Sequence, residues 1–109
     1  MFAREPAVHD PRMAHVTTPR LTVRRAGERA MINVTYYVVF NELEVELDQP
    51  YSEVCEVYGD GRLSQRASTI RSGGAQWLSR SFTRLLAHPG VAAEALRARV
   101  ILAPAPAGA

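Results

Sequence analysis

The chain has no lysine. All thirteen of its basic residues are arginine, in 109 residues with a net charge of +2. Together with Ala-rich ends, this composition is that of a GC-rich bacterial or phage gene. The functional alternative is that arginine is used for its bidentate contacts to phosphate or carboxylate. Cys55 is the only cysteine, which excludes an intramolecular disulfide. It follows Val54 in a strand-like run and reads as a small, half-buried hydrophobe. Three histidines and one cysteine form no cluster with zinc-ligand spacing, and no metal or cofactor is expected. Met1–Asp10 is polar and lacks the apolar stretch of a signal peptide. The longest strongly apolar run, Tyr36–Phe40, is far too short to span a bilayer. Asn33-Val34-Thr35 matches the glycosylation acceptor pattern, but within a strand and without a secretion signal the match carries nothing. The expected location is the cytoplasm, with no membrane partner.

Basic residues are also absent from one whole stretch, between Ala30 and Gly61. Residues 1–30 carry +3, residues 31–60 carry −7 and residues 61–109 carry +6. Charge is therefore segregated along the chain. A length of this order allows one domain with a modest core. Residues 1–18 hold scattered charge without periodicity and read as a flexible N-terminal arm. Residues 19–102 form the domain, and 103–109, A-P-A-P-A-G-A, read as a Pro/Ala-rich extended tail.

Register supplies the first structural expectation. A two-residue turn at Gly27-Glu28 sets Val23 opposite Ile32 and Leu21 opposite Val34, all on one side of the sheet. That match places residues from about 19 onward in the fold and argues against a start at Met31. A second such turn at Asn41-Glu42 sets Phe40 opposite Leu43, Val38 opposite Val45 and Tyr36 opposite Leu47. The strands are then Arg20–Ala26, Arg29–Phe40 and Leu43–Asp48. On the other side Glu44, Glu46 and Asp48 form an acidic ladder opposite Val39, Tyr37 and Thr35. A third hairpin leads into Glu53–Tyr58 with its register open. Gly59-Asp60-Gly61 turns the chain into a weaker strand, Arg62–Ile70.

After Ser72-Gly73-Gly74, Leu78, Phe82, Leu85 and Leu86 follow helical spacing, with Trp77 at the flank. A helix is predicted over Ala75–Ala87, stopping at His88-Pro89-Gly90. Val91–Ala98 reads as a second helix, and Arg99–Leu102 as helix or short strand. Thr83–Val100, T-R-L-L-A-H-P-G-V-A-A-E-A-L-R-A-R-V, resembles the first two helices of response-regulator winged-helix domains. The resemblance implies a helical pair after a small antiparallel sheet, and nine residues follow Val100 where that family has a recognition helix and wing.

The expected class is α+β: a four- to five-stranded antiparallel meander with one face covered by a C-terminal helix or helical pair. No serine occupies a nucleophile elbow and no Gly-rich loop cradles phosphate, so no enzyme is expected. The expected role is a small protein-interaction or assembly module, self-association included. Its partner-binding candidates are Glu44, Glu46 and Asp48 on the acidic side, with Arg71 before the Arg-rich helix and Trp77, Arg80 and Arg84 on it. A nucleic-acid-binding accessory protein using the C-terminal arginines is the second reading. A small-ligand pocket between sheet and helix is the third.

Overall fold

In a computed structural model of the chain, which describes residues 14–87, 92 and 95–105, the first hairpin has the register its apolar residues require. Strand β2 (Arg20–Ala26) pairs with β3 (Arg29–Val39), with Leu21 opposite Val34 and Val23 opposite Ile32. Gly27 takes a left-handed backbone (φ 65°) in the turn, a conformation open to glycine without steric cost. The same edge of β3 is extended by a short strand, β1 (His15–Val16), paired with Val38 and Val39. Pro19 separates the two pieces. There the Thr17 amide donates to the Tyr37 carbonyl and the Thr17 hydroxyl accepts from the Tyr37 amide, both at 3.0 Å. Ala14 is buried, so residues 14–18 of the expected arm belong to the fold. Residues 1–13 lie outside the described residues.

The second expected hairpin is replaced by a helix. Glu42–Leu47 forms α1 in the connection between β3 and the second sheet. The Asn41 side chain caps it, accepting from the Glu44 amide at 2.8 Å. Glu42 and Glu44 occupy the first turn, where carboxylates suit the helix dipole. Asp48 ends the helix in the left-handed region (φ 52°). Leu43, Val45 and Leu47 do alternate, but a strand there would have to double back along β3. That edge of β3 is taken by another segment.

The segment is Trp77–Ala87, which is strand β6 and not a helix. It pairs with β3 along its whole length, from Val39 opposite Trp77 to Arg29 opposite Ala87. Leu78, Phe82 and Leu86 recur every four residues, a spacing that satisfies helical and strand periods alike. Only Leu85 separates the two readings, and it lies on the opposite side, 48% exposed. Completion of β3 on both edges decides the outcome: Ala30, Ile32, Val34 and Val38 are wholly buried, which a two-stranded ribbon would not achieve.

Strands β4 (Tyr51–Gly59), β5 (Gly61–Ile70) and β7 (Arg97–Pro104) form a second sheet in the order β5-β4-β7. The Arg99–Leu102 segment is thus a strand, and Ala103 and Pro104 of the expected tail lie in it. Residues 91, 93 and 94 of the expected second helix fall outside the described residues. Arg97 and Ala98 are in β7, so the resemblance to a winged-helix pair does not hold in structure. Among the described residues the fold is therefore two antiparallel three-strand-wide sheets face to face, with one short helix at the crossover. The expected α+β class, with a C-terminal helix over a meander, is incorrect. The inner faces supply the core: Ile32, Val34, Val38 and Phe82 from the first sheet, Tyr51, Cys55 and Val57 from the second.

Phe82 is 2% exposed at the middle of that core. Phe82→Ala should cost about 3–5 kcal/mol in denaturant melts. A loss below about 1 kcal/mol would mean that β6 does not close the core.

Candidate functional site

Alternation along β6 separates residues that a helix would have grouped. Arg80 and Arg84 share the inner side with Leu78, Phe82 and Leu86, while Trp77 lies on the outer side with Ser79, Ser81, Thr83 and Leu85. Arg80 has its partner between the sheets, whereas Arg84 is exposed at their margin. Glu53 points inward from β4 and is fully buried. Arg80 grips it with two hydrogen bonds, Nε to Oε2 at 2.8 Å and Nη2 to Oε1 at 2.7 Å. The Tyr36 hydroxyl donates to Oε2 at 2.7 Å. Arg66, from β5, brings Nη2 to 3.9 Å from Oε1 and donates Nη1 to the Ser81 carbonyl at 2.8 Å. Arg66 and Arg84 also lie over the Phe82 ring, 5.1 and 5.0 Å from its centroid.

Burial pushes the Glu53 carboxyl upward. The hydrogen bonds of Arg80 and Tyr36, with the charges of Arg80 and Arg66, outweigh it and leave the group below its ordinary range. Burial and the Glu53 carboxylate together hold the Tyr36 phenol well above its ordinary value, so it stays a donor. Burial likewise raises the Cys55 thiol, which makes it a poor nucleophile. The cluster is a clamp between sheets. Arg80 is committed to it and is not available to a partner.

The expected acidic ladder is absent from the sheet. Opposite Val39, Tyr37 and Thr35 stand Trp77, Ser79 and Ser81. Of the acidic candidates, Glu44 is buried on α1 and Glu46 is exposed there. Asp48 is held by its own chain, since its carboxylate accepts from the Gly73 amide at 3.0 Å and pairs with Arg71 at 3.8 Å. Trp77 remains 58% exposed, edge-on to Tyr37 with ring centroids 6.0 Å apart.

What the first sheet does present is its outer face. Arg20, Thr22 and Arg24 of β2 lie opposite Thr35, Asn33 and Met31 of β3. These in turn face Ser81, Thr83 and Leu85 of β6. Tyr37 and Trp77 stand at one end, Met31 and Leu85 at the other, all between 42% and 58% exposed. Tyr37 and Met31 are six residues apart on β3, which separates the ends by about 20 Å. Between them runs a hydroxyl belt in which Asn33 Oδ1 accepts from Ser81 and Thr83 at 3.2 and 2.9 Å. Shallow depressions at Thr17, Arg20, Tyr37 and Ser79, and at Thr22, Arg24, Asn33 and Thr83, relieve an otherwise flat surface.

No strand of this sheet carries a carboxylate, whereas Arg20, Arg24, Arg25, Arg29, Arg80 and Arg84 all belong to it. Sheet two differs. There Glu56 pairs with Arg99 at 2.7 Å and Arg62 at 3.5 Å on the outer side. Among the described residues, none of Arg20, Arg24 and Arg29 has an ion-pair partner. Arg20 and Arg24 were legible as one face of the first hairpin. The third row was not, because β6 read as a helix.

The clamp yields a prediction. Glu53→Ala or Arg80→Ala alone should cost about 3–5 kcal/mol, since each strands a buried charge. Glu53→Leu with Arg80→Met should restore part of it, since Tyr36 and Arg66 still lose their acceptor. The folded-state value of Glu53 lies below the unfolded one, near 4.3. Its contribution is therefore full above that pH and lost as pH falls through the folded value. Urea melts over the acid range should show Glu53→Gln with a flatter acid limb than the parent. An unchanged limb would place the titrating group elsewhere.

No protein-family model, no curated protein and no solved structure matches this chain, so what the face can do is read from its chemistry.

Proposed function

We propose that this chain is a non-catalytic interaction module and that the outer face of its first sheet docks an acidic protein surface. The observation that carries the reading is the uncompensated charge of that face. Three arginines without ion-pair partners share it with Tyr37, Trp77, Met31 and Leu85. Arg, Tyr, Trp and Met are the residues enriched in protein interfaces. The belt of Ser, Thr and Asn supplies donors and acceptors at a polar rim. Of the seven partner-binding candidates, Trp77 alone lies on this face; Glu44, Arg80 and Arg84 are turned to the interior or its margin, and Asp48 with Arg71 tie α1 to the β5–β6 connection.

A single-stranded nucleic acid is the second reading, supported by the exposed aromatic pair beside Arg20, since bases stack on such rings. The small-ligand reading loses its support, because among the described residues no helix covers a sheet to form that pocket.

Trp77, the only tryptophan, is a built-in reporter for both. Its fluorescence is followed while the full chain is titrated with poly-glutamate or with a short oligothymidylate at several salt concentrations. Poly-glutamate is expected to bind, weaken with salt, and lose about tenfold in affinity in Arg20→Glu/Arg24→Glu. Two exposed ion pairs at up to about 1 kcal/mol each set that scale. Tighter binding of the oligonucleotide than of poly-glutamate, with strong quenching of Trp77 and with affinity for a dye-labelled oligonucleotide reduced in Trp77→Ala, would turn the reading to nucleic acid. Failure of both probes, or indifference to the arginine reversals, would overturn it.

A further inference from the structure

The docking reading leaves the occupant of the face open, and the same chain carries a surface that fits it. Helix α1 presents Leu43 and Leu47, four residues apart on one side and 51% and 64% exposed. Exposed Glu42 and Glu46 flank them, and no basic residue stands in the last turn. Here apolar side chains are set among carboxylates. On the outer face of the first sheet, Tyr37, Trp77, Met31 and Leu85 are set among arginines. The two surfaces are complementary in both properties. Within one copy they cannot meet, because α1 is fixed at the crossover by its own hydrogen bonds. Asn41 caps its start, and Asp48 at its end is bonded to Gly73 and Arg71.

Building on that docking reading, we infer that the occupant is a second copy of this chain, its α1 seated on the outer face of the first sheet. Two outer faces laid against each other would set Arg20, Arg24 and Arg29 against a like-charged set. Two α1 surfaces would set Glu42 and Glu46 likewise. Like charges so placed act as a built-in rejection of each surface as its own partner. What remains is contact between unlike surfaces, α1 of one copy on the face of another. Such contact closes as a reciprocal two-fold pair or a ring, or propagates as an open filament.

The experiment is sedimentation velocity on the full chain over a range of concentration and salt, with two charge-reversed variants at exposed positions. Arg20→Glu/Arg24→Glu alters the face and Glu42→Arg/Glu46→Arg alters the helix; circular dichroism confirms that each is folded. The parent is expected to exceed its 12.0 kDa monomer at low salt and to dissociate as salt rises. Each variant alone should stay monomeric, and an equimolar mixture should assemble again, because each reversed surface then meets its opposite. Leu47→Ser, which leaves charge unchanged, should shift assembly to higher concentration. Assembly of either reversed variant alone, or a mixture that stays monomeric while the parent assembles, would overturn the inference. A parent that is monomeric at every salt overturns it too. If Trp77 still responds to poly-glutamate in that case, the docking surface stands and its occupant is another acidic protein. If it does not, both readings fail.

Discussion

A single buried carboxylate governs how this chain closes. Glu53 lies in the plane where the two sheets meet, and a lone charge there would cost several kcal/mol. The side chains able to offset that cost come from three other strands: Tyr36 on β3, Arg66 on β5 and Arg80 on β6. Hydrophobic burial alone would accept many slightly displaced packings of Val, Ile and Phe. A bidentate guanidinium accepts very few. The clamp thus sets the position of β6 along β3 relative to β4, and with it which side chains of β6 reach the outer face. Arg80 is removed from the surface by the same contact that fixes Trp77 on it.

Local sequence was sufficient where pairing is local. The β2–β3 hairpin could be read to the residue because a two-residue turn and alternating apolar positions leave one solution. Two errors followed from patterns shared by different structures. Leu43, Val45 and Leu47 alternate as in a strand, but Asn41 with Glu44 three residues on is also a helix-start signature, and the cap prevails. Leu78, Phe82 and Leu86 sit at a spacing that both periods allow. Strand identity there depends on β3, about fifty residues earlier, needing a second neighbour. Glu53 was the hardest position. Any register that buries Cys55 and Val57 also buries Glu53, and only knowledge of Arg80 and Tyr36 makes that acceptable. The clamp that defines the core was for that reason invisible from single-strand patterns.

Charge segregation along the chain has a structural counterpart that differs from the sequence-level picture. The acidic middle divides into a helix at one end of the molecule and two strand carboxylates that arginines neutralise. The basic flanks converge: β2 comes from the first third and β6 from the last, and both lie against β3, which has no acid of its own. Two blocks far apart in sequence thereby become one positive sheet. An acidic α1 lies outside it and keeps the net charge at +2.

Placing β3 between a neighbour close in sequence and one far away also orders the route to the native state. Hairpin β2–β3 closes across a two-residue turn, whereas Asn33 meets Ser81 and Thr83 only across 48 and 50 residues. Loop closure of that length is slow relative to a hairpin. Both strands of the intervening β4–β5 hairpin lie inside that loop and are made first. As the chain emerges from the ribosome, β3 therefore waits with one bare edge until Trp77–Ala87 has been synthesised. The unpaired edge belongs to the most apolar strand of the molecule, so the interval before β6 docks is when the chain is most open to mispairing.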